Sequence, residues 1–424
     1  MIFSLDVRRA RKGDCLLLHF GSHGQPGLAL IDGGPAQVYG PHLKPRLLKL
    51  REARGLEGPA PLPVDLLMVS HVDDDHIQGI LDLTRELKTQ QTRRVSVLNF
   101  WHNTFDDLIG NTPAALTASV SAQFGTASLE GGLPEDAWVD ADEDDEVIRG
   151  CLGVLASIEQ GHRLRGDVET LGAALNQEFD GKLILAGSQP VPVAEGLTFL
   201  VVGPTRAELE DLQKKHDAWL KTRKKESPEE SLAAYVDKSV TNLSSIVVLA
   251  ESGGKTMLLT GDARVDRILE GLEFAGALKQ GGSMEVDLLK IPHHGSSNNL
   301  DSDFFERLRA SHYVFSGNGE HGNPERETMD MLFTARGGEP FTIHLTYPID
   351  EIDAARQADW EKEQAKEKTR QRKGGHKPVR EDWSAARQSI AAFFENTTLA
   401  NGQRIEVVSE SKPHVIDLLD PLGY

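Results

Sequence analysis

The chain has 424 residues, 39% of them hydrophobic, with 40 Gly and 20 Pro, enough apolar material for a large core and too much for a chain disordered as a whole. A formal net charge of −19 argues against a broad polyanion-binding surface, although bound divalent cations reverse the local field of an acidic pocket. Cys15 and Cys151 are too few for a disulfide framework or a Cys-rich zinc site, no stretch approaches the ~20 apolar residues of a membrane span, and the N-terminus, broken by Arg8, Arg9, Arg11 and Lys12, reads as no signal peptide. A cytoplasmic protein with no membrane partner is expected.

Short apolar runs rich in Val, Ile and Leu end in Gly, Asp or His, as strands buried in a layered α/β protein do. In chain order they are Ile2–Val7, Cys15–Phe20, Leu28–Ile31, Leu66–Val69, Val95–Phe100, Leu197–Val202, Ile246–Leu249, Thr256–Leu259, Val286–Ile291, Tyr313–Phe315 and Phe341–Leu345. Helices are predicted over Ile77–Leu87, Ala207–Arg223 and Asp301–Arg309. Residues 104–195, with the acidic run Glu135–Glu146, and residues 205–240 read as insertions into one domain spanning 1–346. Residues 347–424 read as a charged helical elaboration packed on that domain. Between Lys362 and Arg380 eight Lys/Arg stand against two Glu, an excess of six. Such a stretch is either a solvated face or a clamp for an anionic substrate.

The chemistry concentrates in Leu66-Leu-Met-Val-Ser-His71-Val-Asp73-Asp74-Asp75-His76-Ile-Gln-Gly79, where an apolar strand runs into two His and three Asp before a helix. Side chains at a strand end and a helix start converge. Imidazole nitrogens and carboxylate oxygens together are ligands for a first-row divalent metal. Trp101-His102-Asn103 ends another apolar strand; His102 either lines the pocket or sits beside a packed Trp. Asp32, between an apolar strand and Gly33-Gly34, is a turn former or an acceptor that orients a ligating His. Lys290 is a strand-edge charge or, near His293, a phosphate contact.

His71-x-Asp73-x-Asp75-His76 resembles the H-x-H-x-D-H motif of the metallo-β-lactamase-fold hydrolases, with Asp at the second His position. Gly13-Asp14-Cys15, Ile31-Asp32-Gly33-Gly34, Leu258-Leu259-Thr260-Gly261-Asp262, Lys290-Ile-Pro-His293-His294-Gly295-Ser296 and His321-Gly-Asn-Pro324 resemble, in order, elements of the branch that includes the hydrolase domain of the ComEC competence protein. The resemblance spans roughly residues 2–346 outside the insertions, and is more specific for fold than for substrate. It implies an αββα sandwich: two mixed sheets face to face, helices outside, and a metal site at one edge.

The resemblance further implies His71, Asp73, Asp75, His76, Asp262 and His321 as ligands of one or two divalent metal ions, Zn or Mn. Carboxylate in place of imidazole at Asp73 shifts preference from zinc towards manganese or magnesium. Asp75 also orients the nucleophile, and His294, with His293 in the same turn, protonates the leaving oxygen; the roles of His294 and His321 are open to exchange. The stretch Thr241-Asn242-Leu-Ser244-Ser245 stands where an isolated His ligand is absent, which leaves Asn242 for substrate. The implied chemistry is hydrolysis by metal-activated water, on a phosphodiester, with single-stranded nucleic acid as the extended partner. The alternatives are hydrolysis of a carbonyl ester, lactone or thioester, or a non-catalytic binding protein with a degenerate site.

Overall fold

Alternation of side chains across each strand decides the layering of this chain, because successive strand residues face opposite ways. The computed structural model describes residues 1–103, 160–210, 245–298, 300–372, 378–408 and 412–424. One sheet runs in the order β15 (His414–Asp417), β1 (Ile2–Val7), β2 (Leu16–Ser22), β3 (Gln25–Ile31), β4 (Leu62–Met68), β5 (Val95–Trp101), β6 (Ala174–Leu175). The other runs β14 (Arg404–Val407), β13 (Thr342–Leu345), β12 (Leu308–Phe315), β11 (Met284–Lys290), β10 (Lys255–Leu259), β9 (Val247–Ser252), β8 (Leu197–Gly203), β7 (Val191–Ala194).

Phe3, Leu5, Leu16, Leu18, Ala29, Ile31, Leu66 and Met68 of the first sheet share a core with Phe199, Val201, Val248, Met257, Leu259, Leu288 and Val314 of the second. The intervening residues Leu17, Leu28, Leu30, Leu67 and Phe100 face outward and pack with α1 (Lys44–Ala53) and α2 (Asp74–Thr89). On the far side Leu258, Leu289, Tyr313, Phe315 and Ile343 pack with α3 (Val265–Phe274), α4 (Ser302–Arg307), α5 (Arg326–Arg336), α6 (Ile349–Arg372) and α7 (Ile390–Asn396). Three cores between four layers make the α/β sandwich that the apolar runs imply. No helix among the described residues is long and apolar enough to cross a membrane.

Both sheets change character midway. Strands β1 to β3 are antiparallel and β3 to β6 parallel; β7 to β10 are antiparallel and β10 to β14 parallel. Crevices outside the C-terminal ends of parallel strands, where the order switches, are where open α/β sheets bind ligands. β3 and β10 are the switch strands here.

Three expectations need correction. The helix expected over Asp301–Arg309 ends at Arg307; from Leu308 the chain pairs in parallel with β11, Leu308 opposite Met284, so ladder hydrogen bonds override the helical pattern. Residues 347–424 are not helical alone: β14 joins the second sheet and β15 pairs antiparallel with β1. The end of the expected 104–195 insertion supplies β7 to the second sheet. Most of the predicted helix Ala207–Arg223, the acidic run and Asn242 lie outside the described residues.

A buried histidine chain ties the sheets at one edge. His312 Nδ1 lies 2.9 Å from His344 Nε2, and His344 Nδ1 lies 3.0 Å from His414 Nε2. Burial, reinforced by the neighbouring rings of His414 and His312, holds His344 well below its usual value. The unfolded chain takes up a proton near pH ~6.5 that the folded chain refuses. The stability at stake is complete above that value and is lost as pH falls towards the folded one, about 2 kcal/mol for this residue between pH ~6.5 and ~5. Urea unfolding at both pH values should show a smaller acid loss in His344→Leu than in the parent; an equal loss refutes the attribution.

Candidate metal centre

The polar cluster is built from strand ends. β3 delivers Asp32, in left-handed backbone at φ 56°, and β4 runs through Ser70 and His71 to Asp73, which precedes the first turn of α2. Asp74 and Asp75 occupy that turn, where the helix dipole favours carboxylates. The helix start is fastened to the turn after β3: Gly33 N donates to His76 O at 2.8 Å and Gly79 N to Gly34 O at 2.9 Å. A side chain at Gly79 would sit 1.9 Å from Gly33 O. Gly13 likewise presses on the Asp75 carbonyl, which a Cβ would meet at 1.8 Å. From the second sheet, β10 leads to Asp262, β11 to His293 and His294 (φ 49° and 55°), and β12 to Ser316.

Carboxylates turn the rings inward. Asp32 accepts from Ser70 N at 2.7 Å and Ser70 Oγ at 2.7 Å, and its Oδ2 lies 2.8 Å from His76 Nδ1. His76 Nδ1 therefore donates to Asp32 and turns Nε2 inward, 3.3 Å from Asp262 Oδ1. His294 Nδ1 donates to Ser316 O at 3.1 Å, aiming Nε2 at Asp262 Oδ2, 3.3 Å away. His71 Nδ1 lies 3.1 Å from Ser70 Oγ, and its Nε2 lies 3.7 Å from Asp73 Oδ2.

The inward atoms test whether a cation fits. Nε2 of His71, His76 and His294 and Oδ1 of Asp262 are buried without a well-aligned hydrogen bond, and only the 3.3 Å approaches of His76 and His294 to Asp262 relieve them. One such orphan costs ~1–3 kcal/mol; several converging atoms, all of them metal-ligand types, are what a cation would satisfy. Ligand atoms of His71, His76 and Asp262 lie within 4.8 Å of one another, as do those of Asp75, His76 and His294, and of His71, Asp73 and Asp75. These buried His/Asp groups can hold a metal ion.

The electrostatics agree. Burial pushes His71 down to about 3, keeping its imidazole neutral and ready to ligate. For His76 burial is outweighed by Asp262 and Asp32, which raise it well above its usual value. His294, also opposed by burial, is raised to about 9 by Asp262 and Asp14. Against its own burial, Asp262 is held ionised by His294, His76 and His293. A bound cation would displace the ring protons.

His71, Asp73, Asp75, His76, Asp262 and His294 thus come together. His293 joins them from the open side, its side chain 37% exposed and Nε2 4.0 Å from Asp262 Oδ2. His321 does not: it is exposed in the 320–322 turn, Nε2 3.5 Å from Lys12 Nζ, and belongs to none of the ligand groupings. The turn is fastened to the rim by Glu320, which accepts from Arg11 Nε at 3.1 Å and Asn318 Nδ2 at 2.7 Å. Lys290 is 0% exposed and so lies beneath the cluster, 3.9 Å from Asp262 Oδ1, rather than at a strand edge. His102 is buried beyond β5, its backbone N donating to Asn176 Oδ1 at 2.9 Å, and joins no ligand grouping. In the basic stretch, Lys366 pairs with Glu363 at 2.7 Å and Arg380 with Glu367 at 2.8 Å, so part of the expected clamp is neutralised within the chain. Asp14, Ser70 and Ser316 were not anticipated as orienting groups. The pairing of Asp14 with Gly13 was their one sequence signal.

No protein-family model matches the chain. A stretch of 84 residues is 40% identical to microtubule-associated protein 1A of Rattus norvegicus, covering 18% of this chain and 3% of that protein. Microtubule-associated protein futsch of Drosophila melanogaster is 41% identical over 58 residues, 14% of this chain and 1% of that protein. ComE operon protein 3 of Bacillus subtilis (strain 168) is 28% identical over 98 residues, 23% of this chain and 12% of that protein. The chain therefore spans a small fraction of the relatives it matches, and what it shares with the bacterial one is a partial likeness beside a metal-capable His/Asp cluster.

Proposed function

We propose that the chain is a metal-dependent hydrolase of the metallo-β-lactamase type, a phosphodiesterase or nuclease acting in the cytoplasm on phosphodiesters such as single-stranded nucleic acid. The convergence of orphaned ligand atoms from His71, His76, His294 and Asp262 at the switch-strand ends carries the reading. Those residues, with Asp73 and Asp75, would hold one or two Zn or Mn ions. The ions would supply Lewis-acid activation of water and charge neutralisation at the phosphoryl group. Around them Asp32 fixes the His76 tautomer, Ser316 fixes that of His294, and His293 faces an incoming substrate. Of the exchange left open in the sequence only half is taken up: His294 ligates in place of His321, and His293, not His321, is the ring that meets the leaving group. The partial likeness to ComE operon protein 3 supports the competence-protein branch.

A second reading, a non-catalytic binding protein, draws on the likeness to microtubule-associated protein 1A. Elemental analysis and a substrate panel separate the two. We expect bound divalent metal and turnover of bis-p-nitrophenyl phosphate with Mn²⁺ or Zn²⁺, and little of carbonyl esters, lactones or thioesters. Asp73→His should move the optimum from Mn²⁺ towards Zn²⁺; an unchanged metal profile would show that Asp73 does not touch the ions. Metal without any turnover selects the binding protein, and ester turnover selects the carbonyl chemistry.

A further inference from the structure

We propose that Lys290 is a positioning residue whose ammonium acts as a built-in cation, filling the Asp14 side of the cluster and confining a metal ion to the His71–Asp75 side. The inference rests on the metal reading above and goes beyond it. Lys290 is wholly buried at the end of β11. Its Nζ pairs with Asp14 Oδ2, donates to Gly261 O at 3.1 Å and stands 3.9 Å from Asp262 Oδ1. Asp14 spends its other oxygen on Ser316 Oγ, and that oxygen lies 3.5 Å from His294 Nδ1. One ammonium therefore touches the peptide that precedes Asp262 and, through Asp14, the network that aims His294.

Asp14 would otherwise compete for the ion. Its carboxylate groups with Asp262 and His294, and with Asp32 and His76, within the same 4.8 Å. Hard carboxylate oxygens in such groupings attract divalent cations. With Lys290 on Asp14, that side already holds its positive charge, and like charges at close range repel. The ion is left to the groupings that exclude Asp14, in which His71, Asp73 and Asp75 stand with His76, Asp262 and His294.

The test uses the full-length protein loaded with Co²⁺, whose visible absorption reports its ligand set, together with Zn²⁺ affinity by chelator competition. Lys290→Met removes the opposing charge and frees a carboxylate, so it should alter the Co²⁺ spectrum as Asp14 enters and tighten Zn²⁺ binding by ~10–100-fold, the scale on which outer partners of metal sites act. In Asp14→Asn/Lys290→Met the added carboxylate is gone, so the parent spectrum should return and most of the gain in affinity should disappear. Leu272→Ala, a core truncation in α3, controls for instability and should leave the spectrum unchanged. A parental spectrum and affinity in Lys290→Met overturn this proposal alone. So does a loss of affinity in Lys290→Met, whether or not Leu272→Ala reproduces it. A parent protein that binds neither ion overturns this proposal and the metal reading together.

Discussion

Asp262→Ala is expected to empty the metal site and abolish hydrolysis while the sandwich survives. Asp262 offers Oδ1 to His76 and Oδ2 to His294, each at 3.3 Å, so one side chain serves both halves of the cluster. Its loss should weaken metal binding by more than the ~10–100-fold seen when an outer partner is removed. Without the carboxylate, burial is opposed only by Asp32 at His76 and by Asp14 at His294, so both rings move towards the neutral form rather than unfolding the protein. The metal-free proteins should differ in a pH-dependent way. His294 is raised to about 9, so its stabilisation is complete below the unfolded value of ~6.5 and is lost as pH rises through the folded one. The variant should therefore trail the parent most at pH ~6 and least above pH ~9, by the share of this stabilisation that Asp262 rather than Asp14 supplies. Elemental analysis and urea unfolding check both parts; full metal content in the variant would remove Asp262 from the site.

Gly79→Ala should be among the most damaging conservative changes in the first sheet's half of the molecule. Alanine in a helix interior ordinarily gains about 1 kcal/mol over glycine. Here the new methyl would sit 1.9 Å from Gly33 O and 2.6 Å from its carbonyl carbon, atoms of a backbone with no rotamer to retreat into. Separating α2 from the turn after β3 breaks the bonds from Gly33 N and Gly79 N and drags His76 away from Asp32. A net loss of about 3 kcal/mol or more is expected from such overpacking, with weaker metal binding in whatever remains folded. A higher denaturant midpoint than the parent's would show that the helix moves without cost.

Which parts were legible follows from how local their causes are. Buried strands such as Leu28–Ile31 and Leu197–Val202 announce themselves because both faces are apolar, and the His71–His76 cluster because its residues are adjacent. The strands β14 and β15 do not: Arg404–Val407 and His414–Asp417 are four residues each and partly polar, formed by pairing at the sheet margins rather than by propensity. The orienting network was hidden for another reason. Asp14 and Ser316 are 302 residues apart, and only the closed sandwich makes them neighbours. Lys290 looked like a strand-edge charge because sequence carries no depth. His321 was placed among the ligands by motif order, which says nothing of the direction its turn faces.

The left-handed backbone at Asp32, His293 and His294 has a price for evolution and for engineering. Each non-glycine residue held there costs on the order of 1–3 kcal/mol, and all three stand at strand ends of the cluster. Glycine would relax each of them. At His294 that gain is offset by the buried contacts to Asp262 and Ser316 that the ring makes, so a campaign selecting only for heat resistance should drift first towards His293→Gly, where the side chain is 37% exposed. Thermal tolerance and chemistry pull against each other at these positions, so stabilising libraries for this protein should hold them constant and draw their gains from α1, α5 and the outer helical layers.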